Sequence, residues 1–300
     1  MRWLFLIPIC GCSLVDKQDV EPGPCNTTSY GYGAPSADAM AALEQTNCYR
    51  NLMGLSRGRL HPQLDAAAQS HADYMDGLGM LTHGETEGEP GFTGENAEDR
   101  LYAAGYPFES GQSWSEVVAW GHSPQEAIEA WMGTVYHRIP FTMPSWTHIG
   151  FGQAADYSSM SFVSPWPDGT RDAVVFPVDG QTDVPTSFDS DSEIPDPAPD
   201  HGIVGYPITV TVSAEETYGS DSNNPYDLRL DDAVMWGPDG EEVETLTMDP
   251  TMDEYLFVIA AVVPISPLQP DSTYEVEISV SYADQSQTLV TTFETAGSDE

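Results

Sequence analysis

Seven histidines are few enough in 300 residues to be weighed one at a time. His137 sits in the run "EAWMGTVYHRIPF", next to Arg138 and ahead of Pro140. A cation there is favoured by the dipole of a helix end, so a purely local reason for it exists. His83, in "LTHGE", lies in a glycine-flanked loop after a helical run, the kind of segment that carries functional groups. His71 falls on an apolar helical stripe and reads as a satisfied core histidine. His61 precedes Pro62 and reads as a cap; His122 and His201 occupy polar turn or linker contexts; His148 heads a strand. Two histidines with a carboxylate are a donor set for a divalent cation such as zinc. Nothing in the local spacing gathers one, because HExxH, GxSxG, CxxC and phosphate-cradling glycine loops are all missing from the sequence.

The elements that would position these groups are legible. Ser36 is a natural N-cap for "ADAMAALEQTNCYRNLMGL". Pro62 suits the first turn of a second helix, on which Leu64, Ala67, Ala68, His71, Met75 and Leu78 form one stripe. "GLGMLTHGETEGEPGFTG" reads as loop, "AEDRLYAAGY" as a short helix, and "SEVVAWG" as a short extended or turn segment. Ser123, Pro124 and Glu126 form a capping box that opens "SPQEAIEAWMGTVYHR", predicting one helix with His137 in its last turn, stopped by Pro140. Strand-like pieces follow in "HIGFGQA", "MSFVSPW" and "DAVVFP". Residues 180–202 are rich in Pro and Asp and read as an extended, solvated linker without EF-hand spacing. Beyond it, Ile208, Val210, Val212 and then Tyr274, Val276, Ile278, Val280, Tyr282 alternate, predicting a small β-sandwich.

Composition narrows the partners. Against 48 acidic residues there are nine Lys and Arg, a formal charge of −39. Such a field repels nucleic acid and anionic headgroups and favours cations. Arg2 followed by "WLFLIPI" reads as an export signal. The run ends in "ICGC", which resembles a bacterial lipobox with Cys12 as the lipidated residue. The expected location is therefore the bacterial cell envelope, held to the membrane through an N-terminal lipid anchor. Removing Cys10 and lipidating Cys12 leaves Cys25 and Cys48, expected to form one disulfide in an exported protein. The expected division is a signal at 1–12, a tether at 13–35, a first domain at 36–179, the linker at 180–202 and a β domain at 203–300.

In order and spacing, "TNCYRNLMGL", "LDAAAQSHADYM", "LTHGE", "DRLYAAGY", "SPQEAIEAWM", "YHR" and "THIGFG" resemble the CAP superfamily, in its bacterial SCP-like branch, over roughly residues 37–178. The resemblance implies a three-layer α-β-α sandwich with a cleft holding two histidines and one or two acids, in some members with a divalent metal such as zinc. His83 matches the first cleft histidine and His137 the second, with Arg138 bracing the helix end. Glu116, in "SEVVAWG", takes the slot of the family's acid. Glu95, in "GENA", looks like the motif but stands in the wrong place, and Glu85 ranks behind it. The second acid of some members falls on Thr134. "PLQPDSTYEVEISV…TTFET" resembles the last strands of a bacterial Ig-like domain. The fold class expected is α/β, a CAP-type sandwich followed by an all-β sandwich. The function expected is a binding module that engages a lipid, peptide or envelope component. The alternatives are a metal-dependent hydrolase using the same cleft, and a purely structural lipoprotein.

Overall fold

The computed structural model describes residues 35–109, 112–164, 173–212, 228–282 and 285–298. The expectations for Cys10, Cys12 and Cys25 fall outside these residues, and with them the lipobox and the Cys25–Cys48 pairing. No helix among the described residues is long and apolar enough to cross a membrane.

The first unit comprises α1 (Ala37–Leu52), β1 (Arg59–Leu60), α2 (Pro62–Leu78), α3 (Ala97–Ala103), β2 (Trp114–Trp120), α4 (Pro124–Met132), α5 (Ile139–Thr142), β3 (His148–Ala154) and β4 (Tyr157–Val163). Its sheet runs in the order β1-β3-β4-β2. Alternation along β3 sorts the layers. Ile149 and Phe151 join the core cluster that contains Leu43 of α1 and Ile128 and Trp131 of α4. Gly150 and Gly152 face α2, where an added Cβ would lie 2.1 Å from the Leu64 carbonyl carbon and 2.2 Å from the Gln69 nitrogen. Only glycine lets the helix backbone settle this closely. Gln69 then reads the strand backbone, accepting from Gln153 N and donating to its carbonyl. The result is helix, sheet, helix.

Ser36 caps α1, and the Ser123–Glu126 capping box opens α4 as its sequence predicts. Leu64, Ala67, Ala68, His71 and Met75 are buried on α2, whereas Leu78, expected on the same stripe, is exposed.

Three expectations need correction. The helix from Pro124 does not reach His137: α4 ends at Met132, residues 133–138 form turns, and Pro140 sits inside the first turn of α5. The amides of Val135, Tyr136 and His137 donate to the Glu193 carboxylate instead of to helical carbonyls. Residues 180–202 are not a solvated linker. They form β6 (Gln181–Val184), β7 (Phe188–Asp189) and a 3-10 turn at Ser190–Ser192, with Phe188, Ser190, Glu193 and Ala198 buried. Finally, "DAVVFP" is not a strand of the first sheet: β5 (Val174–Phe176) pairs with β9 (Ile208–Thr211) in the second unit.

That second unit is two facing four-stranded sheets, with a small β7-β8 ribbon that includes β8 (Ile203–Val204). One sheet is β11-β12-β9-β5, with β11 at Thr245–Met248 and β12 at Ile259–Pro264. The other is β10-β13-β14-β6, with β10 at Arg229–Trp236, β13 at Thr273–Tyr282 and β14 at Gln285–Thr295. Tyr274, Val276, Ile278, Val280 and Tyr282 are all buried, as alternation predicts. The two units share one continuous hydrophobic cluster, joined where Tyr49 of α1 meets Phe176 of β5 edge-on at 5.8 Å.

Candidate functional site

α2 ends at Gly79 in the left-handed conformation, and the chain then runs through the loop that carries His83. Glu85 pins this loop from inside. Its side chain is fully buried and accepts from the amides of Thr93 (2.6 Å) and Gly94 (3.2 Å). His71 lies 2.9 Å away through Nδ1, while its Nε2 donates to the Thr82 carbonyl at 2.8 Å. Both partners of this ring are acceptors.

Arg100 ties the cluster together. It stands on α3, a helix capped by Asn96, and is 1% exposed. Its Nη2 donates to both oxygens of Glu116, at 2.8 and 2.7 Å, and to the His83 carbonyl at 3.0 Å. Its Nε stands 3.8 Å from Glu85. Gly94 is required beside it, since a Cβ there would lie 2.7 Å from the Arg100 nitrogen.

Glu116, on β2, is 4% exposed and accepts from His83 Nδ1 at 3.1 Å. Burial pushes its carboxyl up, but the His83 hydrogen bond and the charges of Arg100 and His71 outweigh this and hold it below the ordinary value. The His83 ring is 57% exposed. With Nδ1 donating to Glu116, the neutral ring offers Nε2 outward as an acceptor.

His137 is held differently. Its Nδ1 bonds to Glu193 at 2.8 Å, with 23% of the side chain exposed. Thr134 turns its hydroxyl back to the Trp131 carbonyl. Arg138 does brace the helix end, through Nε to the Met132 carbonyl at 2.7 Å. It also reaches into the second unit, donating to the Pro207 carbonyl at 2.7 Å, with its guanidinium carbon 4.9 Å from both the Phe176 and Tyr206 ring centres. Tyr136 bonds to Asp253 and meets Tyr255 edge-on. All three residues of "YHR" are therefore gripped by the second unit or the segment leading to it.

Of the residues expected in the cleft, the structure joins His83 to Glu116 and places Glu85 beneath them. His137 engages another carboxylate. Glu95 is exposed and contributes only its backbone carbonyl, which accepts from Glu85 N at 3.1 Å. Among the described residues, no three His, Cys, Asp or Glu side chains are gathered to hold a metal ion. Glu116 already has a cation on it, because the Arg100 guanidinium engages both oxygens. As arranged, His83, Glu116 and His137 do not fit a three-ligand zinc or other divalent site.

Residue patterns did not reveal Arg100 or Glu193. The available signal for Arg100 was scarcity, since a chain with nine basic residues places one on a short helix facing the loop. Glu193 had no signal, being one acid among many in a Pro- and Asp-rich stretch.

Comparison with known proteins bears on residues 43–164, which match the family model described as CAP, the cysteine-rich secretory protein family. The uncharacterized protein YkwD of Bacillus subtilis is 28% identical over 129 residues, covering 42% of this chain and 46% of that protein. The chain thus spans less than half the length of this curated relative. An extracellular SCP-domain protein of Bacillus anthracis is similar at 20% identity and TM-score 0.37, over 44% of this chain and 45% of that one. An outer surface protein of Borrelia burgdorferi is similar at 16% identity and TM-score 0.35, over 45% of this chain and 98% of that one. The match to the CAP family thus takes in His83, Arg100, Glu116 and His137, and stops short of Glu193.

Proposed function

We propose that the chain is an exported envelope protein whose CAP-type unit binds a neutral or cationic lipid or peptide component, carried on an Ig-like sandwich. The observation that carries this reading is the His83–Glu116–Arg100 arrangement: an exposed imidazole on a buried, fully compensated carboxylate. The ring is presented on a hydrogen bond to that carboxylate, a pre-orientation that favours binding. Leu78, Met80 and Leu81, exposed just ahead of it in sequence, add apolar contact. The charge of −39 selects against anionic ligands. Export is supported by the N-terminal apolar run and by the match to a family described as secretory.

The hydrolase alternative has His83 and His137 hold a metal or act as base and Glu116 orient or activate water. Arg100 engages both oxygens of Glu116, which counts against that last role. The test is titration of the purified chain with phosphatidylcholine vesicles and, separately, with a basic peptide, followed by tryptophan fluorescence. Saturable binding to either, weakened at least about tenfold in His83→Ala, supports the reading. Binding to neither, or binding indifferent to His83, overturns it.

A further inference from the structure

Glu193 is 1% exposed, yet it comes from a stretch whose composition predicts solvated chain. Its carboxylate accepts from three successive amides, Val135 at 2.8 Å, Tyr136 at 2.8 Å and His137 at 3.0 Å. Converging amides of this kind form a cradle for an anion. The remaining bond goes to His137 Nδ1 at 2.8 Å. A carboxylate can only accept, so Nδ1 is the donor, and the neutral ring is left with Nε2 as its acceptor nitrogen.

We propose that Glu193 is a positioning residue for His137: it fixes the orientation of the ring and selects its Nδ1–H tautomer from outside the CAP-matched segment. The strap that brings it is anchored, not loose. Phe188, Ala198 and Val204 pack in one cluster with Val135, Ile139 and Met143 of the first unit and Leu256 and Val258 of the second. The surroundings of His137 are thus completed by chain that follows the first unit. Its relevance to ligand binding rests on the function proposed above, but the claim about the ring does not.

Long-range proton–nitrogen correlation spectra of the histidine rings, at mildly alkaline pH, test it. His137→Gln assigns the signal. The folded wild type should show His137 as a single Nδ1–H tautomer. Glu193→Ala should lose that pattern to a mixture, and Glu193→Gln, whose amide oxygen can still accept from the Tyr136 and His137 amides and from Nδ1, should keep the Nδ1–H ring. Asp253→Asn, which alters another contact to the same turn through Tyr136, should leave it unchanged. An Nε2–H ring in the wild type, or a folded Glu193→Ala with an unaltered single tautomer, overturns the proposal. Should Glu193→Ala fail to fold, the wild-type spectrum still decides. Absence of vesicle or peptide binding would sink the functional reading and leave these spectra as they are, so the two failures are distinguishable.

Discussion

Replacing Arg100 with Met removes one guanidinium from between two carboxylates. The Glu116 side chain is 4% exposed and that of Glu85 is fully buried, so neither can turn to water. Glu116 loses both of its shortest bonds, at 2.8 and 2.7 Å, and keeps the His83 contact at 3.1 Å and His71 Nε2 at 3.8 Å. Breaking a buried pair by removing one partner costs about 3–5 kcal/mol, most of it the uncompensated charge left behind. Whole domains are stable by about 5–15 kcal/mol, so Arg100→Met should consume a large share. If uncompensated charge is the cause, neutralising Glu116 as well should return part of the loss. Arg100→Met/Glu116→Gln should therefore be less destabilised than the sum of the single changes, with a coupling of about 1–3 kcal/mol. Urea unfolding followed by both tryptophan fluorescence and circular dichroism measures this, and the paired probes check that the two units, which share a core, unfold together. A single-mutant loss under about 1 kcal/mol, or strict additivity of the pair, would refute the reasoning.

Other consequences follow from the same geometry. Gly152→Ala should abolish folding or cost more than about 4 kcal/mol, because its Cβ would lie 2.2 Å from a helix backbone nitrogen; soluble yield and urea unfolding report it. Gly77→Ala, in α2 with nothing within 4 Å of the added carbon, should instead stabilise by about 0.5–1 kcal/mol in the same assay. Calorimetric titration of zinc should show no site whose loss tracks both His83→Ala and His137→Ala, and such a site would contradict the role given to Arg100. Glu116 titrates below its ordinary value when folded, so its contribution is complete above about pH 4.5 and disappears as pH falls through the folded value. Glu116→Gln should accordingly flatten the acid limb of stability below that point. His148 is lowered to about 4, by burial first and then by the charges of His61 and Arg59. Its unfolded form takes up the proton first, so stability should fall between pH 6.5 and about 4, and His148→Gln should remove that slope.

Local signals are legible where the physics is local. The caps at Ser36 and Ser123, the apolar stripe of α2 up to Met75 and the alternation of β13 depend on neighbours a few residues apart, and these appear where the spacing puts them, while Leu78 at the end of the stripe does not. Family resemblance implies a cleft with His83, Glu116 and His137; no residue pattern links positions 33 apart, and the direct His83–Glu116 hydrogen bond comes from the structure. The end of α4 was misread for a physical reason. Propensity carried the helix on to His137, but a carboxylate from 56 residues downstream took the amides it needed.

Charge count and periodicity suffice for the acidic balance, the α-then-β order of the chain and the faces of its helices and strands. Tertiary structure alone decided which acid each histidine meets, that Arg100 stands on Glu116 and that residues 180–202 pack as a strap. Those outcomes depend on which buried charges find partners across long stretches of chain, and desolvation makes that choice only once the core has closed.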